Sequence, residues 1–260
     1  MNQNQLSNVH PEAKIGENVT IEAFATVAKD VEIGDGTWIG PNAVIMDGAR
    51  IGKNCKIFPG AVISAIPQDL KFQGEYTTVE IGDNTTIREC VTINKGTSAK
   101  NKTTIGNNCL LMAYAHVAHD CILKNNVIVG NSVNLAGEVE VDDFAIVSAM
   151  SGVHQFVRIG KYSFIQGVSK VGKDVPPFVM AGRDPLSYAG LNSVGLRRKG
   201  FSNEQINEIQ EIYRVIYQKG LNTTGAINHI EENFDDSEFR NEVIDFVKNS
   251  QRGIIKGLLD

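Results

Sequence analysis

The sequence predicts a parallel β-helix followed by a small α-helical domain. Three observations carry that prediction: an aliphatic period of six running to Val171, two interruptions in it, and helical periodicity beyond Pro176 and Pro177.

Aliphatic residues recur every sixth position from Val9 through Ile15, Ile21, Val27, Ile33, Ile39, Ile45, Ile51 and Ile57 to Ile63. The count resumes at Ile81, Ile87 and Ile93, then runs unbroken from Ile105 to Val171. Two positions before each stands a small or β-branched residue, such as Ala25, Val31, Thr37, Ala43 or Ala61. A period of six fits neither an amphipathic helix nor a simple alternating strand. It fits one short strand per hexapeptide, with residues i−2 and i both pointing inward. Three such sides close a triangular coil, and coils stack about 4.8 Å apart through backbone hydrogen bonds. Glycine often follows the aliphatic residue, as at Gly16, Gly34, Gly52, Gly82, Gly106, Gly130 and Gly160. These glycines are expected to supply turn conformations that a Cβ disfavours. Cys55, Cys109 and Cys121 fall in the small inward slot and are read as core packing.

Residues 64–80 and 94–104 lack the pattern and are expected to be loops projecting from the prism, where function concentrates. Pro176 and Pro177 end the repeat. Ser202 with Gln205 forms a capping box, and Ile206, Ile209, Tyr213 and Ile216 keep helical spacing up to Gly220. Further helices are predicted over Thr224–Asn233 and from Ser237 to about Asn249. The expected division is a β-helix over 1–190 and a helical domain over 191–260.

Composition narrows the function. A net charge of −5 argues against a nucleic-acid partner. No stretch approaches the roughly 20 apolar residues of a membrane span, and Met1 to Val9 has no apolar signal core. Four cysteines without CxxC pairing read as reduced thiols, so a cytoplasmic location is expected.

The histidines are His10, His116, His119, His154 and His229. His116, His119 and His154 flank Val117 and Val153, outside the inward slots. Those valines lie 36 residues apart, two coils of 18, which puts both sites on one side of the prism with a gap of about 10 Å.

The surrounding segments are specific. QDLK at 68–71, CLLMAYAHVAHD at 109–120, AGEVEVDDFA at 136–145, HQF at 154–156, DVPPFVMAG at 174–182 and GLRRKGFS at 195–202 appear in order. Together they resemble the hexapeptide-repeat UDP-N-acetylglucosamine O-acyltransferases that begin lipid A synthesis, over nearly the whole chain. The resemblance implies a coil that winds left-handed, against the usual crossover rule. It implies transfer of a long 3-hydroxyacyl chain from acyl carrier protein to the 3-OH of UDP-N-acetylglucosamine, without cofactor, metal or acyl-enzyme. The family's general base falls on His119, with Asp120 orienting it, and its oxyanion donor on Gly137. An imidazole is suited to take a hydroxyl proton at neutral pH. Asp69, Lys71, His116, His154, Gln155, Asn192 and Arg198 are implied in substrate binding, with Arg198 on a phosphate. Gly167 falls at the end of the acyl groove, where side-chain size sets chain length; as plain structure it is a turn glycine. A homotrimer, with clefts between subunits, is also implied. Asn94 and Glu138 depart from histidine, and Val194 from an acidic residue, in the family pattern.

Three rival readings are weighed. A sibling N-acyltransferase carries an extra N-terminal uridine-binding domain, and the repeat here starts at Val9. A zinc enzyme of the γ-carbonic anhydrase type requires His116 and His154 to converge on one ion at about 2.0–2.1 Å, though they lie two coils apart. A non-catalytic scaffold explains the stacked aliphatics but not AHVAHD, HQF and the loops together. Arg158, Lys161, Lys170 and Lys173 are expected to form a basic docking patch for the acidic carrier protein.

Overall fold

The computed structural model describes residues 2–257. The expected helical domain 191–260 therefore runs three residues past the described chain. Three parallel sheets, A, B and C, form the sides of a prism, with eleven, nine and eight strands. The chain visits them in rotation: Thr20–Ile21 in A, Thr26–Val27 in B, Glu32–Ile33 in C. The coils wind left-handed. The strands register at 18 residues, as in Val9 with Val27 and Val27 with Ile45. The register jumps where the loops enter, from Ile63 to Ile93 and from Ile93 to Val117, and shortens at the C-terminal end, where Ile165 pairs with Ala181.

The interior is the predicted column. Ile39, Ile57, Ile87, Leu111, Val129, Val147 and Ile165 are fully buried, one above another. Between them sit Ala25, Ala43, Cys55, Ala61, Cys109 and Cys121, also buried. Burial pushes the Cys109 thiol up to about 11 and the Cys121 thiol to about 12. Each stacked aliphatic contributes about 1.5–3 kcal/mol over leaving it exposed, so the stack carries the stability and leaves the edges free for chemistry.

The glycines work differently from the sequence expectation. Those that follow the aliphatic residue do not take positive φ. Positive φ falls two residues later, on Asn18, Asn42, Asn54, Asn84, Asn108 and Asn126 and on bulkier residues such as Tyr114 and Phe144. Asparagine tolerates this left-handed conformation through its short polar side chain. The glycines instead sit where the next coil passes too closely for a side chain. A Cβ on Gly34 would lie 2.7 Å from the Gly52 carbonyl carbon, and one on Gly130 2.6 Å from the Ala149 nitrogen.

The three outer faces differ. Sheet C carries paired charges, including Lys14–Glu32 at 2.8 Å and Lys102–Glu80 at 2.9 Å. Sheet A presents a half-buried apolar ladder of Leu110, Ile128, Ile146 and Phe164. Sheet B presents Thr92, His116, Asn134, Gly152 and Lys170 in register.

At the C-terminal end, Val179–Gly182 joins sheet A and Ser187–Leu191 folds back antiparallel on it. Helices α1 (Ser193–Arg198), α2 (Asn203–Gln218), α3 (Thr223–Asn233) and α4 (Glu238–Lys248) follow. The capping box of Ser202 and Gln205 starts α2. The short α1 was not anticipated: it lacks apolar periodicity and is capped by Asn192. The domain is anchored by an aromatic ladder on the C–A edge. Phe144 stacks on Tyr162 at 4.8 Å, Tyr162 on Phe178 at 5.9 Å, and Phe201 and Phe239 close over them. The buried Tyr213 hydroxyl donates to the Pro177 carbonyl at 2.7 Å.

Candidate active site

The edge between sheets B and C gathers the chemistry. Both loops leave the prism there, between Val62–Ala65 and Thr78–Ile81 and between Thr92–Asn94 and Lys102–Ile105. On the next coil the same edge is Ala118, His119 and Asp120, between His116–Val117 and Ile122–Leu123.

Asp120 is fully buried with φ of 60° and accepts four hydrogen bonds. Its Oδ1 accepts from the Thr97 N–H at 2.9 Å and the Lys100 N–H at 3.2 Å. Its Oδ2 accepts from the Thr97 hydroxyl at 2.6 Å and lies 2.8 Å from His119 Nδ1. The Asp120 N–H donates to Thr103 Oγ1 at 2.8 Å. The second loop thus forms a clamp on this carboxylate. Since every other partner is a donor, Asp120 is an acceptor toward His119, Nδ1 carries the hydrogen, and the Nε2 lone pair faces the cleft.

His119 is nearly buried, at 8% exposure. On its Nε2 side, Asp69 Oδ2 approaches to 3.9 Å from the first loop. Above it lies Gly137, in the same position one coil on. The Gly137 N–H has no acceptor among the described residues, and its carbonyl accepts from the Phe156 N–H at 3.2 Å. The loops are tied together: Glu75 accepts from the Gln73 N–H at 2.8 Å and the Ser98 N–H at 3.0 Å. Tyr76 fastens the first loop to the prism through Asp30, at 3.0 Å. Thr97, Glu75 and Tyr76 escaped the sequence reading because they sit in aperiodic segments.

Around this centre, sheet B forms an open groove of 540 Å³ lined by His116, Asn134, Ala136, Gly152, His154 and Lys170. His116 Nδ1 lies 2.7 Å from the Thr92 hydroxyl, and burial pushes its pKa below the ordinary value. His154 is exposed, with Nδ1 3.0 Å from the Gln155 carbonyl. Among the described residues no three His, Cys, Asp or Glu side chains converge in a metal-binding cluster. Asn94 is buried, donates to the Ile66 carbonyl at 3.1 Å, and its Oδ1 has no partner among the described residues. Glu138 takes the left-handed turn conformation beside Gly137, and its N–H donates to the His119 carbonyl at 3.0 Å.

The single chain does not bring every expected residue to this edge. Gly167 lies on the A–B edge, stacked above Ala149. Asn192 caps α1 and donates to the Tyr162 carbonyl at 2.9 Å, on the C–A edge. Arg198 is exposed at the end of α1, and Val194 is exposed on the same helix. Lys71 is exposed in the first loop, its N–H donating to Asp69 Oδ1 at 2.9 Å.

The expected basic patch does not form. Lys161 pairs with Glu242 of α4 at 2.9 Å, and Arg158 lies over Phe246 and donates to the Asn249 carbonyl at 3.2 Å. Both are engaged by the helical domain. Lys173 reaches the Arg252 carbonyl at 3.5 Å, whereas Lys170 points from sheet B. Spacing along the coil misled here because cations on neighbouring turns face different sides of a prism.

Comparison with known proteins completes the assignment. Residues 12–37, 30–65 and 102–137 match the bacterial transferase hexapeptide model, and residues 174–255 match domain 2 of UDP N-acetylglucosamine O-acyltransferase. An acyl-[acyl-carrier-protein]–UDP-N-acetylglucosamine O-acyltransferase from Aliivibrio fischeri is 44% identical over 97% of this chain and 99% of its own. The chain belongs to the UDP-N-acetylglucosamine O-acyltransferase family. A relative from Campylobacter concisus is 37% identical over 97% of both chains. The crystal structure of a UDP-N-acetylglucosamine acyltransferase from Bacteroides fragilis superimposes with a TM-score of 0.96, at 54% identity over 97% of this chain and 99% of that one. Family membership covers the prism, both loops and the helical domain alike.

Proposed function

We propose that this chain transfers an acyl group from acyl carrier protein to a hydroxyl of UDP-N-acetylglucosamine, with His119 as general base. The observation that carries the mechanism is the imidazole held at Nδ1 by Asp120 beneath the free N–H of Gly137. The sugar hydroxyl gives its proton to His119 Nε2 as its oxygen attacks the thioester carbonyl. The carbonyl oxygen becomes an oxyanion, for which the Gly137 N–H is the donor. The tetrahedral adduct collapses, the C–S bond breaks, and the imidazolium returns its proton to the departing thiolate. Asp120 stays ionised and stabilises the imidazolium. Asp69, Lys71, His116, His154 and Gln155 hold the sugar nucleotide.

Following the family, the acyl group is a long 3-hydroxyacyl chain, the acceptor is the 3-OH, and the reaction opens lipid A synthesis. The working unit is a homotrimer. Two observations support this: Gly167, His119 and Asn192 lie on three different edges of one prism, and sheet A offers an apolar ladder for a neighbour to cover. A second subunit then brings the A–B edge, with Gly167, to the B–C edge of the first.

The test is a transfer assay with purified protein, a hydroxyacyl carrier protein and UDP-N-acetylglucosamine. Wild type should form the ester, and His119→Ala should lose at least about 10²-fold in turnover. Near-normal activity in a folded His119→Ala would sink the mechanism.

A further inference from the structure

We propose that Lys170 is a phosphate-binding residue at the far end of the groove that starts at His116. The groove floor is the outward face of sheet B. In register along it stand Val44, Val62, Thr92, His116, Asn134, Gly152 and Lys170. Lys170 is the sole Lys or Arg on this ladder among the described residues. It sits three strands from His116, about 14 Å along the face. Between them the floor is open: a Cβ on Gly152 would meet nothing within 4 Å, and the same holds at Gly172 beside the lysine. Gly152 therefore leaves a path from the imidazoles to the ammonium.

The charge is also uncommitted. Lys170 is exposed and makes no ion pair among the described residues. Arg158 and Lys161, on the preceding coil, are each held by a carboxylate, and Lys173 reaches the Arg252 carbonyl at 3.5 Å. The Arg252 guanidinium donates to the Gly172 carbonyl beside Lys170, at 3.1 and 3.2 Å, so this end of the groove is positive and attracts an anion of similar reach. In the proposed reaction both substrates carry one: the diphosphate of the sugar nucleotide and the phosphodiester of the carrier's pantetheine arm. The shared chemistry is a phosphate oxygen accepting a charge-assisted hydrogen bond. The inference rests on the proposed reaction for its ligands.

The experiment uses full-length protein as wild type, Lys170→Met and Lys170→Arg. Calorimetry measures binding of UDP and of uridine, which lacks the diphosphate. Kinetics compare hydroxyacyl-phosphopantetheine with hydroxyacyl-pantetheine, which lacks the phosphate. Lys170→Met should weaken one phosphate-bearing ligand roughly tenfold or more and leave its phosphate-free counterpart unchanged. Lys170→Arg should retain binding. Loss confined to UDP assigns the site to the nucleotide, and loss confined to the phosphopantetheine donor assigns it to the carrier arm. Unchanged binding throughout, or equal loss with and without phosphate, overturns the proposal. Wild-type turnover in the same series reports separately on the reaction itself.

Discussion

Gly137 lies one coil above His119, so close that a Cβ there would stand 2.6 Å from both Nε2 and Cε1 of the imidazole. The glycine is a steric condition for the histidine's position as well as a source of a free N–H. Gly137→Ala should push the ring off its place and lower kcat about 10²-fold, since displacement of this size disrupts attack geometry. Its backbone is outside the positive-φ set, so folding should survive. Adding His119→Ala should restore any lost thermal stability without restoring activity. A fully active Gly137→Ala would show that the ring has room to move.

Thr97 supplies two of the four hydrogen bonds to Asp120. Thr97→Val keeps the shape and removes the hydroxyl donor, a charge-assisted bond of roughly 1.5–3 kcal/mol. The carboxylate then orients His119 less firmly. Turnover should drop about tenfold with little change in KM for UDP-N-acetylglucosamine, and Thr97→Ser should recover it. A loss appearing in KM alone would place Thr97 in substrate binding instead.

Burial favours the neutral form of His116 and lowers its pKa below the ordinary histidine value of 6.5. A histidine depressed in the folded state binds fewer protons there than in the unfolded chain. Its contribution therefore rises with pH from the folded pKa up to the unfolded one, and stability falls on acidification through that window. NMR titration should give a His116 midpoint below 6.5, and His116→Gln should flatten the stability profile there. A midpoint at or above 6.5 would contradict the burial seen here.

Gly167 faces out from the A–B edge, and a Cβ there would sit 3.1 Å from the Ala149 carbonyl oxygen. That contact is tight but not closed. Gly167→Met should fold after a small local shift and fill the acyl path with its side chain. Each methylene denied burial forfeits about 0.8 kcal/mol, so product ratios in a competition should move several carbons toward shorter hydroxyacyl donors. Gly167→Ala should shift less. An unchanged ratio in an active Gly167→Met would place the ruler elsewhere.

The prism was legible because one six-residue rule repeats from Val9 to Val171, and each inward aliphatic is confirmed by its neighbours. His119 and Asp120 were legible through the AHVAHD segment and Gly137 through AGEVEVDDFA. The clamp on Asp120 was not, because Thr97 lies in a loop whose path no period dictates. The glycine at i+1 was misread since sequence distinguishes poorly between a special φ and close approach of another strand. Arg158 and Lys161 were misplaced for a related reason: helix α4, far along the chain, covers them. Local pattern sees the side chain but not what later folds over it.

The hairpin of Val179–Gly182 and Ser187–Leu191 has a consequence for solubility. A stack of parallel strands ends in a row of unpaired amides and carbonyls, a template on which another molecule can grow. Here the final rung of sheet A is met by a strand running the opposite way, with a register shift between Val179 and Ala181. Helix α2 and the returning segment at Ile254–Lys256 pack against that terminus. A second prism arriving at this end finds the wrong polarity on sheet A, so strand-by-strand continuation of that sheet is blocked there.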